Sequence, residues 1–257
     1  MKTVFSVKFV VLRLSNCSVQ VGPRGFLYSM AVYASLLLEM KKLIEGIVEF
    51  RKGLTEESRA LFAKLALGQK PDALFIGCCD SRVVPNLFAS TNPGDLFVLR
   101  NVGNLVPPES FSDREISVPA ALEFSMLTLN VAHIIICGHS ECGAMQALTE
   151  GLDKLPSPHL RSWLEHGEDS LKKVRKGLTL NSSLSEYNQV SQMNVLQQME
   201  HIESYPFLRK RIEEKLLRVH GWWFDIAKAD VYCYEKSVNQ FVLIDEKEAK
   251  LILERLG

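Results

Sequence analysis

The 257 residues carry no surplus charge, since 30 lysines and arginines balance 30 aspartates and glutamates. A chain that is neutral overall has no long-range field to draw in nucleic acid or an anionic membrane, and no basic block supplies one locally. Long apolar runs are missing too. MKTVFSVKFVVLRL is broken by Lys8 and Arg13. Neither it nor the run after Arg24 reaches the roughly 18 residues of a membrane span. Internal repeats and low-complexity tracts are absent, and no clear second domain stands out, which excludes a solenoid or a chain of linked modules.

Cysteine is sparse: Cys17, Cys78, Cys79, Cys137, Cys142 and Cys233. A chain that is 47% apolar builds its core without disulfide staples, so these thiols have another use. Their clustering near histidine and aspartate points to metal binding or catalysis in a reducing compartment, and the cytosol is the expected location. Residues 1–39 complicate that. The run after Arg24 loosely resembles a signal-peptide core, which would send the protein to the periplasm or beyond. We read 1–39 as an upstream extension or a packed helix, with the real start at Met30 or Met40. Residues 40–257 are then a single catalytic domain.

From Met40 the apolar residues of MKKLIEGIVEFRKGL recur at helical spacing. Thr55 precedes EESRALFAKLALG as an N-cap followed by acidic residues, and Leu61, Phe62, Leu65 and Leu67 line one side. ALFIGC (73–78), LFVLR (96–100) and HIIICG (133–138) are short apolar runs that read as strands. REISVPAALEFSMLTL reads as a helix interrupted early by Pro119, and CGAMQALTEGL as the start of another. NVLQQMEHIESYPFLRKRIEEKLLRV is helical with a break at Pro206. VHGWWFDI and DVYCYE form a hairpin around KAD, and EKEAKLILERLG is a last amphipathic helix. Strands alternating with helices specify an α/β domain: a mainly parallel central sheet with an antiparallel C-terminal edge strand and helices on both faces. Ligands gather at the carboxyl ends of such strands, and both CCDSR and GHSEC fall there.

His139 and Cys142 are zinc-type ligands two residues apart at a strand-to-helix turn. Alone, the pair is better explained by a polar histidine near a buried cysteine. Cys78, from another strand end, adds a second thiolate. Cys79, on an extended backbone, points away from its neighbour. The fourth corner is open to water, as in catalytic zinc sites, or to Asp80, which shares a side with Cys78. Arg82 can grip Asp80 with two hydrogen bonds and keep it off the metal, free to accept a hydrogen bond from the water there. Phe97, Val102 and Phe124 can wall a small dry pocket, although core packing accounts for them as simply.

Cys78, Asp80, Ser81 and Arg82, followed downstream by His139 and Cys142, resemble the C-x-D-S-R and H-x-x-C motifs of the β-class carbonic anhydrases. The likeness runs through PGDLFVLRNVGNLVPP and HIIICGHSECGAM, and more loosely to NVLQQMEHIESYP and VHGWWFDI. It implies a carbonate dehydratase that hydrates carbon dioxide to bicarbonate and a proton by attack of zinc-bound hydroxide. It also implies Cys78, His139 and Cys142 as zinc ligands, with Asp80 closing the site in some states. The catalytic dyad would be Asp80 and Arg82, and the substrate-binding residues Gln69, Phe97, Val102 and Phe124. Gln69 matches a glutamine of plant-like members. Phe124 falls where many members have tyrosine. Phe75 replaces the tryptophan of a bacterial bicarbonate site that also uses the position of Arg100. Family members assemble as dimers or tetramers with the cleft at a subunit interface. His220 is a candidate proton shuttle, for which a structural role is the better expectation. Three rivals remain: hydrolysis of carbon disulfide or carbonyl sulfide on the same fold, a structural-zinc binding module, and a redox pair at Cys78 and Cys79.

Overall fold

The computed structural model describes residues 39–256; the signal-like run, Met30 and Cys17 lie outside the described residues. The chain forms two compact units, divided after Lys64. The first holds helix α1, which covers 39–53, and α2 (Glu56–Leu65) except for its last residue. The Thr55 hydroxyl accepts the Ser58 N–H at 3.1 Å, the expected N-cap, with Glu56 and Glu57 in the first turn behind it. Leu43, Ile44, Ile47 and Phe50 of α1 are exposed. The stripe read on α2 is not a buried face: Phe62 is exposed, and so is Leu67 just beyond the helix.

The second unit runs β1 (Ala73–Cys78), α3 (Pro85–Phe88), β2 (Leu96–Asn101), α4 (Ser117–Glu123), β3 (His133–His139), α5 (Gly143–Glu150), α6 (Pro158–Leu164) and α7 (Glu168–Arg175). It continues with α8 (Glu186–Ser204), α9 (Pro206–Glu213), β4 (Arg218–Asp225), β5 (Asp230–Glu235), β6 (Gln240–Leu243) and α10 (Glu246–Leu256). The sheet order is β2-β1-β3-β4-β5-β6. The first four strands are parallel, and β5 and β6 pair antiparallel. The expected antiparallel C-terminal strand is present as β5, and one further strand, β6, continues the antiparallel pairing at the edge. QFVL in β6 is too short for a period to register, and the turn before it places Asn239 at φ 52°.

Alternation along the central strands builds two cores. Leu74, Ile76, Ile134 and Ile136 join Val195 and Ile202 of α8 on one face. Phe75, Ile135 and Cys137 join Phe224 on the other, with Phe88 and Trp222 packed against them. Pro119 does not interrupt its helix. As the third residue of α4 it lies in the first turn, where its missing N–H has no partner to lose. The helix runs on into a wider π turn over Phe124–Thr128. Pro206 does act as a break, starting α9 at its first position. Among the described residues no helix is long and apolar enough to cross a membrane.

Close approach of α8 to β3 requires Gly138. A Cβ there would come within 2.7 Å of the Val195 Cγ2 and 3.2 Å of the Ser191 carbonyl oxygen. Gly138→Ala is expected to cost about 1–3 kcal/mol, the usual penalty of overpacking. Urea unfolding monitored by tryptophan fluorescence reads this as a lowered midpoint, and an unchanged midpoint would contradict the tight helix–strand contact.

Candidate metal centre

Parallel pairing of β1 with β3 runs from Ala73 opposite His133 to Gly77 opposite Cys137. The register brings the strand ends, Cys78 and His139, side by side. The chain then turns through Ser140 and Glu141 to Cys142, the N-cap of α5. Two bonds tie this turn to the β4 end: the Ser140 N–H donates to the Phe224 carbonyl at 2.9 Å, and its hydroxyl accepts the Ile226 N–H at 2.9 Å. The ligand atoms of Cys78, His139 and Cys142 lie within 4.8 Å of one another, and all three residues are buried.

The donor chemistry fits a soft divalent cation. His139 Nδ1 lies 2.8 Å from the Ser140 carbonyl oxygen. A carbonyl only accepts, so Nδ1 carries the proton and Nε2 keeps its lone pair. That Nε2 is buried and has no hydrogen-bond partner within the protein. An unpartnered acceptor beside two sulfurs is what a metal satisfies. Cys78 Sγ accepts the N–H groups of Asp80 and Gly103, each at 3.4 Å. Contact with the Cys142 thiol, and after it these two amides, hold Cys78 below the usual thiol range against the opposing effect of burial. Cys142 is pushed up, first by its contact with Cys78 and then by burial. The pair thus retains one proton, which a bound cation displaces.

Asp80 faces the trio without joining it. Its Oδ1 accepts the Arg82 Nε–H at 2.9 Å and the Arg82 backbone N–H at 3.0 Å, and its Oδ2 accepts Nη2–H at 2.7 Å. These bonds to Arg82 hold the carboxyl well below the usual carboxylate range. Oδ2 stands 4.0 Å from His139 Nε2. Sequence reasoning missed what fixes the backbone here. Arg100, at the end of β2, donates from Nε to the Cys78 carbonyl at 3.0 Å and from Nη2 to the Asp80 carbonyl at 2.7 Å. An arginine closing an otherwise apolar strand was the only available signal.

The candidate pocket residues divide. Val102 adjoins Gly103, and its carbonyl accepts the Trp163 Nε1–H at 2.7 Å. With Cys79, Arg100, Leu160 and Trp163 it lines a cavity of about 400 Å³. Gln69, Phe97 and Phe124 are not gathered with the trio in one chain. Phe97 pairs with Leu74, four residues before the Asn101–Cys78 pair, which is roughly 13 Å along the strand. Phe124 packs on Phe97 with ring centroids 5.8 Å apart and is exposed. Gln69 is exposed in the loop before β1, at the opposite end from Cys78. Phe75 is fully buried against Phe88 and Trp222. His220 pairs with Ile135, also roughly 13 Å from the strand end. Its Nε2 lies 3.1 Å from His133 Nδ1, and burial pushes it down to about 4, which suits a packed neutral ring rather than a shuttle.

A second group of ligating side chains, Cys233, Glu235 and Glu248, already contains a cation. Arg255 Nη2 donates to Glu235 Oε1 at 2.8 Å and to Glu248 Oε1 at 3.1 Å. Cys79, beside the first group, is exposed, whereas Cys78 is buried. Cys79→Ser is expected to leave metal content unchanged by elemental analysis; loss of the metal would mean that the ligand had been assigned to the wrong cysteine.

Residues 73–231 match the family described as "Carbonic anhydrase". A carbonic anhydrase of Synechococcus elongatus is 35% identical over 214 residues, 82% of this chain and 78% of its own length. Among solved structures, the β-carbonic anhydrase CcaA superposes with a TM-score of 0.74 at 37% identity, covering 80% of this chain and 99% of its own. The tetrameric β-carbonic anhydrases of Sordaria macrospora give 0.66 at 28% identity, over 76% of this chain and 96% of theirs.

Proposed function

The chain belongs to the carbonic anhydrase family, in its β class, and we propose that it hydrates carbon dioxide reversibly to bicarbonate and a proton with zinc held by Cys78, His139 and Cys142. The observation that carries the reading is the buried trio, with an unpartnered imidazole nitrogen, facing a carboxylate locked by arginine. Zinc supplies a Lewis acid that brings the pKa of water it binds toward neutrality, carbonic anhydrases being the standard instance.

The residues divide the remaining work. Nδ1–H of His139, bonded to Ser140, fixes the ring so that Nε2 faces the sulfurs. Asp80, kept ionised by Arg82, accepts a hydrogen bond at Oδ2 from the attacking oxygen and so aims its lone pair at the carbon. The proton is relayed along that hydrogen bond toward solvent without resting on Asp80, whose bonds to Arg82 favour the ionised form. Arg82 holds the carboxylate in one orientation and so keeps it from closing on the metal. Val102 supplies apolar surface beside the trio.

Gln69, Phe97 and Phe124 lie at the far end of the strands, so we assign them to the substrate pocket of a second copy. Self-association, as a dimer or a tetramer, follows. The exposed apolar residues of α1 support it, and residues 40–64 are then the arm of a single catalytic chain rather than a separate module. A reducing compartment, the cytosol, suits a site that needs two ionised thiols. Stopped-flow hydration with a pH indicator tests the activity. Hydration that disappears with the metal supports it; hydrolysis of carbonyl sulfide or carbon disulfide with no hydration overturns it.

A further inference from the structure

Arg82 has an anchor besides Asp80. Its Nη2 also donates to the Glu141 carbonyl at 3.0 Å, across the gap between the two motifs. That carbonyl is presented by a backbone at φ 55°, the left-handed region that a residue with a Cβ enters at a cost. Helix α8 holds the glutamate there. Asn188, 7% exposed, grips it at two points: Oδ1 accepts the Glu141 N–H at 2.8 Å, and Nδ2 donates to Glu141 Oε1 at 3.0 Å. The Tyr187 hydroxyl donates to Oε2 at 2.9 Å. One amide therefore fixes both the backbone and the side chain of the residue that pins the guanidinium. Its hydrogen bonds go to Glu141 rather than to the three ligands.

We infer that Asn188 is a positioning residue: acting through Glu141, it sets the carbonyl that pins Arg82 and thereby orients Asp80. The kinetic consequence rests on the zinc-hydratase reading; the structural consequence does not. Asn188→Leu keeps the volume and removes both bonds. Hydration kcat/KM is expected to fall roughly tenfold, the scale of a weakened charge-assisted hydrogen bond, with zinc per chain unchanged. Adding Glu141→Gly is expected to recover part of the loss, because glycine adopts the left-handed conformation without a clamp. Loosened packing of α8 would not be rescued that way.

An independent readout is the Arg82 Nε–H resonance in nitrogen-15 spectra, assigned by its disappearance in Arg82→Lys. It is expected to be slow-exchanging in the wild type, exchange-broadened in Asn188→Leu, and sharp again in the double variant. Should Asn188→Leu fail to fold, Asn188→Asp keeps the acceptor, loses the donor and sets a second carboxylate against Glu141. The same broadening is expected there. An Arg82 signal unchanged by either variant, a loss that Glu141→Gly does not relieve, or departure of zinc with Asn188 overturns the inference. A wild type without hydration activity would sink the functional reading, while the Arg82 signal would still report on the clamp.

Discussion

Asp80→Ala is expected to abolish most turnover while the protein keeps its zinc. The carboxylate stands 4.0 Å from His139 Nε2, and both of its oxygens bond to Arg82. In the proposed mechanism it touches the reacting oxygen without holding the metal. Removing a positioned acid–base group typically costs 10²–10⁴-fold, and about that loss in kcat is expected. The three ligands stay in place, because Arg100 grips the carbonyls of Cys78 and Asp80 rather than the Asp80 side chain. Elemental analysis beside the hydration assay separates the outcomes. Loss of zinc in the variant would make Asp80 a ligand, and full activity would remove it from the mechanism.

Cys142→Ser should strip the metal and, with it, the activity. The change is nearly isosteric, and Cys142 caps α5 through its backbone alone, so the fold is expected to survive. A hydroxyl does not ionise near neutral pH and is a poor ligand for zinc. It leaves one sulfur and one imidazole, too few to hold the ion. Circular dichroism matching the wild type, together with metal analysis showing apo protein, is the expected result. A stoichiometric zinc in the serine variant would mean that the trio is not the binding site.

Much of this geometry was legible in the residue order. ALFIGC and HIIICG are buried on both faces, so their apolar runs marked β1 and β3 without help from context. Polar motifs directly after two such strands had to meet, because parallel neighbours end on the same side of a sheet. The spacing of Asp80 and Arg82 likewise allowed the two-pronged pair that the structure contains. Resemblance, rather than spacing, named carbon dioxide as the substrate and added Gln69 to the pocket residues.

What stayed hidden depends on contacts distant in the chain. Arg100 reaches Cys78 only because β2 lies beside β1, and no local pattern announces that. The bonds between Glu141 and Asn188 span a helix and a turn that periodicity treats separately. Composition suggested that Phe97 and Phe124 are apolar walls. Which end of the sheet they occupy follows from register, which puts Phe97 opposite Leu74 rather than Cys78. Pro119 was misread as a break because the start of α4 was not visible two residues before it.

The most direct measurement is X-ray absorption at the zinc edge, with metal quantified per chain, on protein produced with ample zinc. One zinc per chain with two sulfur scatterers and one imidazole nitrogen in its shell is the expected spectrum. Protein without stoichiometric zinc, or a shell lacking the sulfur pair, would contradict a site built by Cys78, His139 and Cys142.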